Sequence, residues 1–330
     1  MKKNTIVVFC AAAVMSVSMV ATAFAERVDL VIGSGGESGT YYPVMSEISE
    51  FCTTSTLGIN HNLDPEGKSV GGSVKNKRNL LNNKIMGGII QADVAHLEKM
   101  KNTAMKRVLG LLPLHQEPVH VIVPDVVQVM VQAAKPGKFG FGAQDAVYAM
   151  QSNQLQNISQ LTGHKVASWG GSVTSSKVIK MMGDINFEIV PVDNKDAAMR
   201  LLDSGQVSAV VSVVGAPAEW VEALPQGKYK LLSVTENTQT KLIDIYSISS
   251  INYDNMGKTG QSIDALAVDA ILFTRTYRTP KMVQALGELQ SCVKEKIYEI
   301  QDTPGTHQVW QNMKWDNLFT APTQTAQVSE

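Results

Sequence analysis

The chain is poor in the residues that metal sites, nucleic-acid binding and most catalytic constellations draw on. Of 330 residues only three are cysteine and six are histidine, and aromatic residues make up 6%. The histidines, at 61, 96, 115, 120, 164 and 307, fall at no metal-ligand spacing; His115 and His120 lie five apart, off one helical face, with a proline between them. No metal or cofactor is therefore expected. The 29 Lys and Arg against 30 Asp and Glu leave a net charge of −1, which gives no basic footprint for nucleic acid. Beyond the N-terminus there is no apolar run of the ~20 residues that a membrane-spanning helix needs.

What the chain does have begins with an export signal. Lys2 and Lys3 precede an apolar run from Ile6 to Val20, and Ala23-Phe24-Ala25 places small residues where a signal peptidase reads them. Residues 1–25 are expected to be a signal peptide cleaved after Ala25, and the rest a soluble periplasmic protein. Cys10, preceded by Val8 and Phe9, does not suit lipoprotein processing. Residues 26–330 exceed the about 250–300 residues that one core serves, so two lobes are expected. Only Cys52 and Cys292 remain in the exported form. In an oxidising compartment they read either as one disulfide joining an N-terminal helix to a C-terminal one, or as two buried thiols.

The hydrophobic pattern alternates strand with helix and predicts an α/β fold with mostly parallel sheets. Asp29–Ile32, His61–Leu63, Met86–Ala92, Val108–Leu114 and Val119–Pro124 read as strands in the first part, with helices after Pro43, Ser73 and Asp93. The middle repeats this with strands at Lys165–Trp169, Phe187–Val192, Val207–Val214 and Tyr229–Val234. Thr174 or Ser175 is expected to cap a helix that Gly183 ends, and a further helix spans Asp193–Leu202. Val268–Thr274 reads as the partner of Val119–Val123, and Thr279–Ile300 as a long helix. Trp310 and Trp315 are expected to pack on the first lobe, with a disordered polar tail from Thr320. The connectors between 135 and 163 carry no assignable pattern.

Chemistry concentrates in the glycine turns. Val31–Pro43, VIGSGGESGTYYP, is a strand end, a turn holding Gly33, Gly35, Gly36 and Gly39, and a helix entry. Gly33, Gly35 and Gly39 are spaced one residue too long for a dinucleotide loop, Gly39-Thr40 lacks the lysine of a phosphate loop, and Gly36-Glu37-Ser38-Gly39-Thr40 lacks the last glycine of a nucleophile elbow. Thr174-x-x-Lys177 lacks the serine of a serine–lysine motif, so no catalytic constellation is found. Gly71-Gly72-Ser73-Val74 and Gly170-Gly171-Ser172-Val173, by contrast, are the same tetrapeptide, and each leads into a helix. Helix N-termini from two lobes facing one cleft would neutralise a carboxylate with backbone N–H groups and hydroxyls alone.

These segments resemble the TAXI subgroup of TRAP-transporter solute receptors. IGSGGESGTYYP is similar to its opening glycine loop, SVGGSVKN to its GGS-x-x-N element, and IIQADVA to its Q-x-D segment. EPVHVIV is similar to its hinge strand and VVGAPAEWVEAL to a second-lobe glycine-helix segment. The resemblance implies a two-lobed periplasmic-binding-protein fold, each lobe a mostly parallel sheet flanked by helices, joined by two hinge strands. Lobe I would comprise residues 26–122 and 268–330, and lobe II residues 123–267. It implies a monomeric, non-enzymatic receptor that captures a small organic anion, amino-acid or dicarboxylate-like, and hands it to separate membrane permease subunits. Where many relatives carry a cysteine this chain has His61, which leaves Cys52 to pair with Cys292. The second-lobe loop departs from the usual G-x-P-G-S-G-T, and the segment 126–160 is longer than usual.

The ligand is expected at Ser38, Gly39, Thr40 and Tyr41 of the first loop, at Ser73 and Asn76, and at Gln91 and Asp93, the last of which is equally a helix cap. From lobe II the expected contacts are Trp169, Gly171, Ser172, Thr174, Ser175 and Gly215. The binding component of an ABC importer, a periplasmic sensor, and an exported transferase or hydrolase on the same scaffold are the competing readings.

Overall fold

The computed structural model describes residues 26–37, 39–61, 71–135, 144–257 and 262–313. The expected signal peptide, Ser38, Trp315 and the tail lie outside them. The chain opens with β1 (Val28–Gly33), α1 (Tyr41–Cys52), β2 (Leu57–His61), α2 (Ser73–Leu81), β3 (Gly87–Gln91) and α3 (Ala92–Lys101). β4 (Val108–Pro124) then carries it into a hairpin of β5 (Val126–Gln132) and β6 (Val147–Ser152). The second half runs β7 (Lys165–Ser168), α4 (Gly170–Gly183), β8 (Glu188–Pro191), α5 (Lys195–Asp203), β9 (Ala209–Val213), α6 (Glu219–Glu222), β10 (Tyr229–Leu231), α7 (Glu236–Leu242) and β11 (Ser247–Ile251). β12 (Ile263–Arg275) returns to the first half, and α8 (Pro280–Asp302) closes it.

The strands form one path, β2-β1-β3-β12-β4-β9-β7-β8. β1 pairs in parallel with β2 and β3, and β7 with β8 and β9, so each end of the path is a parallel α/β unit. β4 and β12, antiparallel to each other, join the two units and make the molecule a two-lobed α/β fold. One core packs α1 and α8 on β1, with Val44, Met45, Ile48 and Cys52 of α1 and Leu289, Val293 and Ile297 of α8 buried at helical spacing. Trp310 is buried there and donates its indole N–H to Glu47, as expected of a segment packed on the first lobe. A second core joins Val121, Val166, Val211 and helix α4.

Several elements differ from the sequence reading. Val108–Leu114 and Val119–Pro124 are one continuous strand. Its prolines do not end it because Pro113 sits at a register shift opposite Ile271, and Pro118 where the strand leaves β12. Val119–Ile122 therefore pair with β9, not with β12, which takes residues 108–118. The second strand is Leu57–His61 rather than His61–Leu63, and residues 62–70 lie outside the described ones. The unassigned segment holds an antiparallel hairpin, β5–β6, whose side chains are exposed on both faces. In α4 the glycine pair belongs to the first turn, so the cap position is Trp169, and Thr174 and Ser175 lie inside the helix. Its left-handed C-terminal residue is Asp184 (φ 56°), one past Gly183.

Candidate functional site

A cleft of about 510 Å³ opens where the two parallel units face each other, beyond the carboxyl ends of their strands. The N-termini of α1, α2, α4 and α5 all reach it, so its walls carry the positive ends of four helix dipoles. Gly39, Thr40 and Tyr41 contribute from α1, Ser73 from α2, Gln91 from the end of β3, and Trp169, Gly171 and Ser172 from α4. These eight expected residues are brought together.

The repeated tetrapeptide does the same work in both lobes. Ser73 Oγ accepts the backbone N–H of Gln91 at 3.0 Å, where β3 ends, and Ser172 Oγ accepts that of Val213 at 2.9 Å, where β9 ends. Each serine thus stitches its helix start to the neighbouring strand end. Ser73 does not cap its own helix; Gly72, with φ +110°, holds that position.

The glycines set how closely the lobes approach. A Cβ on Gly215 would lie 2.7 Å from Thr40 Oγ1, and one on Gly171 would collide with Gln91 Oε1. Asp93, on α3, accepts the hydroxyl of Tyr246 at 2.6 Å, and Leu97 of the same helix packs in the cluster of Val178 and Ile179 from α4. These contacts tie elements of the first half of the chain to elements of the second.

The other expected residues lie elsewhere. Asn76 is buried beneath the glycine loop, where its Nδ2 donates to the carbonyls of Gly33, Ser34 and Ile89 at 2.7–3.1 Å. Asp93 is fully buried, with one carboxylate oxygen on Val94 N–H and the other on Tyr246, and burial raises its pKa. Gln91 takes the cap position of α3, leaving Asp93 in its first turn. Thr174 and Ser175 do not line the cleft, because α4 begins five or six residues earlier than expected and places them inside the helix. Gly215 touches Thr40 behind the wall rather than facing the cavity.

The cleft residues that escaped the sequence reading include Glu117, Asn194, Lys195, Asp196, Ser212 and Trp220. Trp220 meets Trp169 edge-on at 5.9 Å, and Lys195 Nζ sits 5.9 Å from the Trp220 ring. Glu117, on β4, is 3% exposed and accepts the Tyr41 hydroxyl at 2.7 Å. Burial first, and the Glu117 charge second, push the Tyr41 pKa well above its ordinary value, so it stays a donor. The available signal for Glu117 was that it is the one acid in the strand VLGLLPLHQEPVHVIVP. Among the described residues no group of three or more His, Cys, Asp and Glu could hold a metal ion, and no helix is long and apolar enough to cross a membrane.

Residues 32–130 match the model of the NMT1-like family, less than a third of the chain. The match gives no support to the TAXI subtype. No curated protein matches the sequence. Solved structures similar to this chain include a probable amino-acid ABC transporter extracellular-binding protein, YtmK, from Bacillus subtilis (10% identity, 83% of this chain and 94% of that one, TM-score 0.47). Others are a putative L-cystine ABC transporter from Listeria monocytogenes (12%, 82% and 91%, 0.46) and an arginine periplasmic binding protein from Legionella pneumophila (12%, 83% and 95%, 0.45). At these identities and scores the likeness carries nothing about ligand or transporter.

Proposed function

We propose that the protein is an exported solute-binding receptor that holds a small organic acid between its two lobes, with residues 26–122 and 268–330 as one lobe and 123–267 as the other. The observation that supports this best is the convergence of four helix N-termini on one cleft between two lobes joined by β4 and β12. Such a site stabilises a carboxylate through aligned backbone N–H groups, and the joining strands let the lobes close over it. Among the described residues no serine, threonine or cysteine of the cleft is hydrogen-bonded to a histidine or carboxylate base, so we read it as a binding site rather than a catalytic one. A separate membrane permease would take the solute; the TRAP-type partner implied by the sequence resemblance and an ABC importer are told apart by affinity capture from solubilised membranes of the native host. The receptor reading is tested by denaturing the purified protein, identifying any released small molecule by mass spectrometry, and screening amino and organic acids by thermal shift. A bound acid that raises Tm by linkage is expected. Turnover of a substrate with no stabilising ligand would sink the reading.

A further inference from the structure

A second cavity, of about 490 Å³, borders β4 and shares no lining residue with the cleft. Its size lies within the range of small-molecule sites. Four parts of the chain enclose it: β4 around Gln116, the turn Ala216-Pro217 after β9, the second half of β11, and Val309 beyond α8.

His115 is what sets this cavity apart from a surface hollow. The residue is 4% exposed, yet it lines this cavity and not the cleft, and neither of its ring nitrogens has a hydrogen-bond partner. Its neighbours do not supply one. Glu117 Oε1 stands 3.9 Å from Nε2, beyond hydrogen-bond reach, and Tyr41 meets the ring edge-on with centroids 5.9 Å apart. Those two groups bond each other instead, the Tyr41 hydroxyl donating to Glu117 Oε2. A buried imidazole in this position has lost water at both nitrogens and gained nothing in exchange.

The rest of the lining indicates what would answer it. None of the lining residues is Lys, Arg, Asp or Glu, so a charged ligand would give up its hydration with no acidic or basic chain in the wall to receive it. Gln116, Ser249, Ser250 and Asn252 offer neutral amides and hydroxyls, while Pro118, Pro217 and Val309 offer apolar surface. A hydroxyl is donor and acceptor on one atom, so it serves either nitrogen of His115 in any protonation state of the ring. Sugar rings and cyclic polyols combine a rim of hydroxyls with an apolar C–H face, the same division that these walls carry.

We infer that this cavity is a second ligand site, separate from the cleft, which takes a neutral polyhydroxylated molecule of the sugar or cyclic-polyol class with a hydroxyl on the His115 ring. The inference stands on this cavity and on His115, and does not depend on what the cleft binds.

The test is imidazole NMR of the exported chain, with the His115 signals assigned through their contacts with the Tyr41 ring. The probes are D-glucose, D-galactose and myo-inositol; D-glucuronate, D-galacturonate and D-glucosamine, which add a charge to the same rings, are the controls. At least one neutral probe is expected to shift the His115 signals saturably, and its charged relatives to bind about tenfold or more weakly. In calorimetry His115→Phe, which keeps a ring but removes both nitrogens, is expected to weaken that probe about tenfold or more. A charged control that binds as tightly as its neutral parent overturns the ligand class. His115 signals that no probe moves show a cavity filled by solvent only, and overturn the site. Shifts confined to the indoles of Trp169 and Trp220 put the sugar in the cleft and overturn it too, as does a His115→Phe protein that binds the probe as well as the native one. The native titrations need no variant, so a His115→Phe chain that does not fold leaves the inference open to refutation.

Discussion

Ser73 and Ser172 show how a residue type found correctly in sequence can carry a different role in space. Both hydroxyls face the cleft, yet each accepts a strand-end N–H, of Gln91 and of Val213. Replacing either by alanine leaves a buried backbone donor unpaired, a cost of about 1–3 kcal/mol. Ser73→Ala and Ser172→Ala are therefore each expected to lower stability by that amount in chemical denaturation, before any effect on binding; unchanged midpoints would return both hydroxyls to a ligand role. His120 makes a second residue-scale prediction. Its Nδ1–H donates to the Pro118 carbonyl at 2.9 Å and its Nε2 accepts the Tyr253 hydroxyl at 2.8 Å, so the neutral ring is fully partnered. Burial pushes its pKa down from 6.5 to about 4. Between those values the unfolded chain holds a proton that the folded chain refuses, so stability falls as pH falls through this window, by up to about 3 kcal/mol. The raised carboxyls of Asp93, Glu47 and Asp269 act in the opposite sense at the acid end. Imidazole NMR should find His120 neutral down to about pH 4, with Tm dropping between pH 7 and 5; a His120 ring that titrates near 6.5 in the folded protein contradicts this.

At the scale of elements, legibility followed burial. α1 and α8 were readable because each buries one stripe, and Pro43 and Pro280 sit in their first turns. The hairpin β5–β6 was not, since VVQVMVQ and VYAMQS stand exposed on both faces and no alternation marks a buried side. β4 was split in two because proline punctuates a sequence more strongly than it does a strand that can shift register. For the cleft, glycines and hydroxyls at helix starts were legible, whereas Glu117 was not: an acid in a strand shows its importance only once Tyr41, 76 residues away in sequence, is seen to bond it. The sequence left Cys52 and Cys292 as either a bond or two thiols, and the structure joins them, tying α1 to α8 across 240 residues of chain. A cross-link over so long a loop restricts the unfolded chain strongly. Reduction, or Cys52→Ser with Cys292→Ser, should cost roughly 2–5 kcal/mol in denaturant titrations. Equal midpoints with and without reductant would show that the buried contacts between α1 and α8 suffice alone.

The whole molecule is two parallel units on two shared strands, with side-chain contacts beside the sheet. Asp93 was expected to touch ligand or cap its helix; it instead accepts the hydroxyl of Tyr246, reaching from the first unit into the second. Burial keeps Tyr246 a phenol by raising its pKa well above the ordinary value, so the bond persists across the physiological range. Leu97 packs into the apolar cluster of α4, and Thr40 abuts Gly215. Parting α3 from the segment of Tyr246 breaks the Asp93–Tyr246 bond and hydrates a carboxylate that is 0% exposed. Tyr246→Phe removes the donor while keeping the ring's packing. It should destabilise the protein by about 1–3 kcal/mol, because Asp93 stays buried with one partner fewer. It should also shift the ligand-free protein towards an open form, seen as a larger radius of gyration in solution scattering that contracts when ligand is added. A Tyr246→Phe protein with native stability and native scattering would show that the bond does not govern closure, and would move that role to the apolar packing of α3 on α4.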